Sequence, residues 1–253
     1  MKSIFPLSGR PIVVIGPMPC EIDAICAAIA PCEEMTLGGY RFTRGTVSGY
    51  PGIAAKSLIG MVNAAVTTTL AIREFEPAAI ILQGTSGGHD PARHRYDIIL
   101  GQRLVELGNF YTPHRGAGEG TRPEDWYAMG EEIMTENGVE RFTALFGDGE
   151  LLAIAEKTPY DDGEKVRGTI GSADIWNKEL DRIAHLRRTS GSDAEEMEGF
   201  AVAQVCKAFG VPMLNIRIVS NSELYPEEAF LEDTALKCQK YVLDVIRNMI
   251  AAR

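Results

Sequence analysis

The run Pro11-Ile12-Val13-Val14-Ile15-Gly16-Pro17-Met18-Pro19-Cys20-Glu21 decides the fold. Its first part is wholly apolar, too short for a helix, and closed by Gly16. Such a run is a strand buried on both faces, as in a parallel sheet. Ile22, Ile25, Cys26 and Ile29 then recur at helical spacing, and Pro19 suits the first turn, where its missing N–H costs nothing. A buried strand feeding a helix is the opening unit of an α/β fold. It puts Glu21 at the mouth of the strand-to-helix turn, where open sheets bind ligands.

The alternation continues outward. Tyr40–Val47 and Gly52–Ser57 read as strands joined by the turn Ser48-Gly49-Tyr50-Pro51. Met61–Phe75 is a buried helix stopped by Pro77, and Ala78–Leu82 is a central strand. Gln83-Gly84-Thr85-Ser86-Gly87-Gly88 follows as a glycine-rich turn that lets backbone N–H groups approach a ligand. Tyr96–Leu100 and Lys165–Ile170 are further strands, and Gly171–Asn177 turns into a helix at Lys178–Leu186. Val211–Val219, interrupted only by Asn215 and Arg217, is a strand ending at Ser220-Asn221. Pro226 opens a closing helix with Phe230, Leu236, Tyr241, Val242, Val245, Ile246 and Ile250 on its inner face. Residues 112–132, rich in Gly, Pro and Glu, form a surface excursion. No repeat or boundary divides the chain, so residues 1–253 are expected to form a single α/β domain, with a largely parallel sheet flanked by helices.

Lys plus Arg number 25 against 35 Asp plus Glu, a formal net charge of −10. This balance disfavours nucleic acid and anionic membranes. No basic stripe supports a nucleic-acid module, and no apolar run has transmembrane length. Met1–Phe5 carries one basic residue, and Pro6, Ser8 and Arg10 interrupt any signal-peptide core. Cys20, Cys26, Cys32, Cys206 and Cys238 are odd in number and include no CxxC pair, which reads as reduced, core-packing thiols in a cytoplasmic protein. His89, His94, His114 and His185 lack ligand spacing, so no metal site is expected, and His89 and His94 read as surface residues flanking a turn.

Glu195-Glu196-Met197-Glu198 precedes the apolar Phe200, Ala201, Val202, Val205 and Cys206. It reads as an acidic helix start with Glu198 in the first turn, and with Glu195 and Glu196 structural or solvated. Polar residues therefore gather at strand ends: Glu21, Thr85, Glu198, Arg217 and Asn221. Each also has a plain structural reading. Arg217 could pair with a nearby carboxylate, Thr85 could cap a turn, and Met197 could belong to the core.

Five motifs occur in one order: Gly16-Pro17-Met18-Pro19-Cys20-Glu21, Ile59-Gly60-Met61-Val62-Asn63-Ala64-Ala65, Gly84-Thr85-Ser86-Gly87-Gly88, Glu196-Met197-Glu198 and Arg217-Ile218-Val219-Ser220-Asn221. The set resembles the purine nucleoside phosphorylase superfamily, and within it the methylthioadenosine/S-adenosylhomocysteine nucleosidases. The resemblance runs from residue 12 to about residue 250 and weakens between 105 and 165. It implies a mixed, partly closed sheet surrounded by helices, a purine nucleoside as small-molecule partner, a homodimer with sites near its interface, and no cofactor. It makes Glu21 the base that activates a water, which attacks the anomeric carbon as the purine leaves through an oxocarbenium-like transition state. Glu198 would hold the ribose 2′- and 3′-hydroxyls, and Met197 would pack on the sugar, with Glu196 in the same substrate-binding motif. Thr85 would lie near the water and ribose, and Arg217 would orient the groups around it. Trp176 and Ile175 would border the purine, while Ile59 and Gly87 complete the substrate-binding set. Ile175 departs from the pattern, because typical nucleosidases supply an aromatic there.

Asn221 is the departure with most chemical weight. The nucleosidases usually have Asp, which assists departure of the base at N7. Asn cannot act as a Brønsted acid near neutral pH, though its amide both donates and accepts hydrogen bonds. The resemblance thus implies hydrolysis of a 5′-modified adenosine, with a 6-oxopurine nucleoside (inosine- or futalosine-like) as the alternative. A phosphorylase needs cations for phosphate, yet Gly16–Ala24 contains no Arg or Lys and Leu82 stands where the family's phosphorylases carry Arg. Hydrolysis is therefore preferred. A catalytically silent binding or storage homologue is the remaining reading, and retention of Glu21 and Glu198 argues against it.

Overall fold

The computed structural model describes residues 7–252. The part of the signal-peptide reading that rests on Met1–Pro6 lies outside the described residues. The chain opens with β1 (Ile12–Gly16) and α1 (Pro19–Ala28), followed by β2 (Cys32–Leu37), β3 (Tyr40–Val47) and β4 (Tyr50–Lys56). Then come α2 (Met61–Phe75), β5 (Ala79–Gly88) and β6 (Ile98–Glu106). Five short strands follow: β7 (Phe110–Tyr111), β8 (Tyr127–Ala128), β9 (Glu131–Thr135), β10 (Gly138–Phe142) and β11 (Leu145–Phe146). The rest is α3 (Gly149–Lys157), β12 (Lys165–Ser172), α4 (Leu180–Ser190), β13 (Ala194–Glu196), α5 (Gly199–Phe209), β14 (Met213–Asn221) and α6 (Asp233–Ala251).

β1 lies between β4 and β5, parallel to both, as its unbroken apolar run requires. Ile12 and Val14 pack on one side with α1 and α6, while Val13 and Ile15 pack on the other with α2 and α5. That division follows from the two-residue alternation of a strand. β5 is parallel to β14, and β6, β12 and β13 are parallel to one another in that order. β14 also pairs antiparallel with β6, and β13 antiparallel with β5. These five strands therefore close on themselves, and β1, β4, β3 and β2 fan out from the closed part. The mixed, partly closed sheet flanked by helices is the architecture expected from the sequence.

Several local readings are corrected. The glycine-rich segment is not a turn: β5 continues through it to Gly88, paired with β14 on one side and β13 on the other. Its glycines still serve close approach, because a Cβ on Gly84 would lie 2.8 Å from both Arg217 Nη1 and Glu21 Oε1. Glu195 and Glu196 belong to the buried strand β13, and α5 begins only at Gly199, with Glu198 at its N-cap. The closing helix starts at Asp233, not Pro226. Glu228 holds the preceding segment in another shape, its carboxylate accepting the Arg95 N–H at 3.0 Å and its backbone N–H donating to Tyr225 O at 2.8 Å. Phe230 consequently lies outside the helix, and both it and Leu236 are 43% exposed. Cys32 is exposed and Cys20 and Cys26 are half-buried, so only Cys206 and Cys238 are core; all five are free thiols. β2 and α3 had no counterpart in the sequence reading. The surface excursion at 112–132 holds β8 and the start of β9, which pair with β7 before it and β10 after it, and the β9–β10 hairpin docks on α5, with Phe142 and Phe200 ring centroids 6.0 Å apart.

Candidate active site

Arg217 points inward from β14 with 1% of its surface exposed. A guanidinium is tolerated there only when fixed acceptors take its N–H groups. Its Nε donates to Asn215 Oδ1 at 3.0 Å and its Nη1 to Thr85 O at 3.2 Å. Its Nη2 donates to Glu198 Oε2 at 3.1 Å and also to Glu196 Oε2. Burial opposes the charge on Arg217, but the surrounding carboxylates Glu196, Glu198 and Glu21 outweigh it and raise the pKa.

Glu196 is the scaffold of this cluster. It accepts the N–H groups of Glu198 (3.1 Å) and Gly199 (2.9 and 2.8 Å), and the Ser172 hydroxyl. Ser172 Oγ accepts the Phe200 N–H at 2.8 Å. Together they satisfy N–H groups at the start of α5 that no helical carbonyl can reach. Residue 199 must be glycine, since a Cβ there would lie 2.2 Å from Asn215 Nδ2 and 2.8 Å from Glu196 Oε1. With its oxygens engaged by protein donors, Glu196 fits the structural reading better than direct ligand contact.

Glu198 is pinned from the start of α2 and from β14. Its Oε1 accepts the Gly60 N–H (2.9 Å) just before α2, and its Oε2 accepts the Met197 N–H (3.3 Å) and Arg217. Burial pushes its pKa up to about 7; Glu196 and Glu21 add to the rise, and Arg217 and the Gly60 N–H oppose it. The next N–H of α2, on Met61, donates to Asp174 Oδ1 at 2.9 Å. The start of α2 is thereby tied to the segment carrying Ile175 and Trp176.

Glu21, in the first turn of α1, is 1% exposed. Its Oε2 accepts the Met18 N–H (2.9 Å), while its Oε1 accepts both the N–H (2.7 Å) and the hydroxyl (2.8 Å) of Thr85. Thr85 therefore fixes the carboxylate instead of capping a turn. Asn221 closes β14, where Ser220 Oγ lies 2.9 Å from its Oδ1 and 3.2 Å from Ser86 O, two acceptors for one hydroxyl hydrogen.

Every site residue named from the sequence borders one cavity of about 240 Å³: Glu21, Ile59, Thr85, Gly87, Ile175, Trp176, Glu196, Met197, Glu198, Arg217 and Asn221. The sequence reading missed Pro17, Met18, Ser86, Glu195, Ser220 and Phe230. The crowding of carboxylates at 195–198 was the available signal for Glu195, whereas Phe230 was misplaced inside a helix. Glu195 is 6% exposed, not solvated, and binds Asn177 through the backbone N–H (2.8 Å) and Nδ2 (2.6 Å). His89 is 2% exposed, not a surface residue. Its Nδ1 is 3.0 Å from Ser192 Oγ, and its Nε2 is 3.2 Å from Glu195 Oε2 but off the hydrogen-bond line. Among the described residues lining the cavity, Arg217 is the only cation, faced by four carboxylates.

A family model described as the phosphorylase superfamily matches residues 11–251. The chain belongs to the phosphorylase superfamily. Its relatives include the 5′-methylthioadenosine/S-adenosylhomocysteine nucleosidase of Bacillus cytotoxicus, 27% identical over 245 residues that cover 94% of this chain and 99% of that one. Among solved structures, a mutant Helicobacter pylori methylthioadenosine/S-adenosylhomocysteine nucleosidase, holding 5′-methylthioadenosine in its active site, matches with TM-score 0.78 and 26% identity, covering 94% of this chain and 98% of that chain. Futalosine hydrolase of Helicobacter pylori matches with TM-score 0.76 and 26% identity, over 95% and 98% of the two chains.

The raised pKa of Glu198 has a consequence for stability. Neutral Glu198 is favoured in the folded state, so its contribution is fully present below the ordinary carboxylate pKa and is lost as pH rises through about 7. The urea midpoint of ligand-free protein should therefore fall between about pH 5 and about pH 8 more steeply than that of Glu198→Gln. Parallel curves for the two proteins would contradict this assignment.

Proposed function

We propose that the chain is a purine nucleosidase that cleaves the N-glycosidic bond with water. The observation that carries the reading is the Glu21 carboxylate, held by Thr85 and Met18 in a cavity whose only cation among the described residues is already committed to carboxylates. Phosphate entering such a cavity would meet net negative charge, whereas water meets a fixed base. In this reading Glu21 takes a proton from water, and the resulting nucleophile attacks the anomeric carbon as the purine departs. Glu198 accepts hydrogen bonds from the ribose 2′- and 3′-hydroxyls, and charge–hydroxyl bonds are stronger than neutral ones. Met197 packs on the sugar, Ile175 and Trp176 border the base, and Arg217 orients Glu198 and Thr85. Water, a base and hydrogen-bonding groups suffice for this chemistry without a cofactor.

The nucleosidase relatives support a 5′-modified adenosine of the methylthioadenosine or S-adenosylhomocysteine type as substrate. A second reading, a 6-oxopurine nucleoside, is favoured by Asn221, which lines the cavity with an amide that both donates and accepts hydrogen bonds but supplies no acid. The likeness to futalosine hydrolase supports it as well. The exposed apolar row Leu58, Ile59, Val62 and Val66 beside the cavity supports a homodimer, and the five free thiols fit a cytoplasmic location.

Base release from methylthioadenosine, S-adenosylhomocysteine, adenosine, inosine and futalosine, with and without phosphate, tests the reading. Release should be independent of phosphate, and Glu21→Gln should lower kcat by about 10²–10⁴-fold. Phosphate-dependent formation of a sugar phosphate would overturn it. Asn221→Asp should shift preference toward 6-aminopurines, so an unchanged base preference would count against the second reading. Sedimentation velocity should report twice the chain mass, and a monomer at micromolar concentration would remove the dimer.

A further inference from the structure

β5 grips Glu21 at two points, and only one of them is the carboxylate. On the face of β5 turned toward α1 and α6, Ala79 and Ile81 join the apolar core, and the next two positions are Gln83 and Thr85. Thr85 binds the Glu21 carboxylate, whereas Gln83 binds the main chain, its Nε2 donating to Glu21 O. Gly16 at the end of β1 leaves room for this contact, since a Cβ there would lie 2.9 Å from both Gln83 Nε2 and Glu21 O. Gln83 is wholly buried, and its Oε1 has no hydrogen-bond partner among the described residues. Native interiors rarely leave a polar atom unmet, and an apolar side chain of the same size would avoid the cost. The bond made by Nε2 is what accounts for an amide at this position.

A second glutamine meets the same turn from α6. Gln239 is 1% exposed. Its Oε1 accepts the N–H groups of Ala24 (2.8 Å) and Ile25 (3.3 Å), and its Nε2 donates to Cys20 O (2.6 Å) and Ala235 O (3.2 Å). In an α-helix the Ala24 N–H pairs with Cys20 O, and the Ile25 N–H pairs with Glu21 O. Three of these four groups are met by Gln239, and the fourth, Glu21 O, by Gln83. The sheet and α6 thus fasten the turn that carries Glu21, over and above the helix's own ladder. Neither glutamine lines the cavity, so each acts there only through Glu21.

We propose that Gln83 and Gln239 are positioning residues, which clamp the first turn of α1 from two sides and hold the Glu21 carboxylate in register with the cavity. The proposal rests on the nucleosidase reading only in treating that carboxylate as the base. Thr85 and Met18 aim the carboxylate, but their bonds have the right length only while the main chain of Glu21 stays where the glutamines hold it. Displacing a reacting group by about 1 Å can cost about 100-fold in rate.

Gln83→Met and Gln239→Met keep the size of the side chain and lose the amide. Assayed in the full chain below the unfolding transition, each should lower kcat by about 10–100-fold while KM stays within about twofold. Asn248→Ala is the control: it removes the α6 bond to Thr158 Oγ1 (2.8 Å), away from α1, and should leave kcat and KM unchanged even where it lowers the urea midpoint. The carboxylate is also read without turnover, through hydrogen exchange at the Met18 N–H that donates to Glu21 Oε2. Its protection should fall about tenfold or more in the glutamine variants and hold in the control, as expected for loss of a hydrogen bond to a charged group. Unaltered kcat or unaltered Met18 protection in either folded glutamine variant would overturn the proposal; the two lie on separate elements, so one folded variant suffices. Should the unaltered chain hydrolyse no nucleoside, the nucleosidase reading falls, and Met18 exchange alone decides whether the clamp holds the carboxylate.

Discussion

The buried guanidinium of Arg217 is the constraint on which the site depends. Removing one partner from a buried ion pair costs about 3–5 kcal/mol, because the remaining charge is left uncompensated. Against a typical total stability of about 5–15 kcal/mol, an unmatched Arg217 could threaten the fold itself. Its acceptors come from Asn215, Thr85, Glu196 and Glu198, on β14, β5, β13 and the N-cap of α5. One side chain thus ties together parts of the chain more than a hundred residues apart. The carboxylates gain equally: without Arg217, Glu196 and Glu198 would share a dry pocket as like charges.

Backbone donors bring the carboxylates into position. Helix starts leave N–H groups without helical acceptors, and here those groups are met by acidic side chains. Glu196 serves α5, Glu198 reaches the residue before α2, and Glu21 folds back on Met18 at the start of α1. A group that satisfies a helix start is restricted to a narrow range of positions. Three such groups around one cavity give a preset arrangement of oxygens, which suits a reaction governed by positioning and proton transfer. Glycines at 84 and 199 keep it compact, since a methyl group at either would collide with polar atoms of the cluster.

Much of this was legible in the sequence because the signals were local. The apolar run at Ile12–Ile15 specified a buried strand, and Met61–Phe75 matches α2 residue for residue. The five motifs hold every named site residue except Ile175 and Trp176, and all of them border one cavity. Errors arose where distant contacts override local pattern. The glycines of β5 look like turn residues, yet pairing with β13 and β14 keeps them extended. Pro226 looks like a helix start, yet Glu228 is claimed by Arg95 and delays the helix to Asp233. His89 and Glu195 look like surface residues because nothing nearby in sequence shows the partners that bury them.

The sequence by itself determined the α/β class, the order of most elements, and a set of polar residues that border one cavity, because hydrophobic period, breaker residues and short motifs are written within a few residues of one another. Only the tertiary structure decided what the acidic stretch at 195–198 does. Its three carboxylates sit in one short segment but have different partners: Asn177 and His89 for Glu195, Ser172 and Arg217 for Glu196, and Gly60 and Arg217 for Glu198. The role of a buried charge is set by what meets it across the fold, and closure of the sheet brings those partners together.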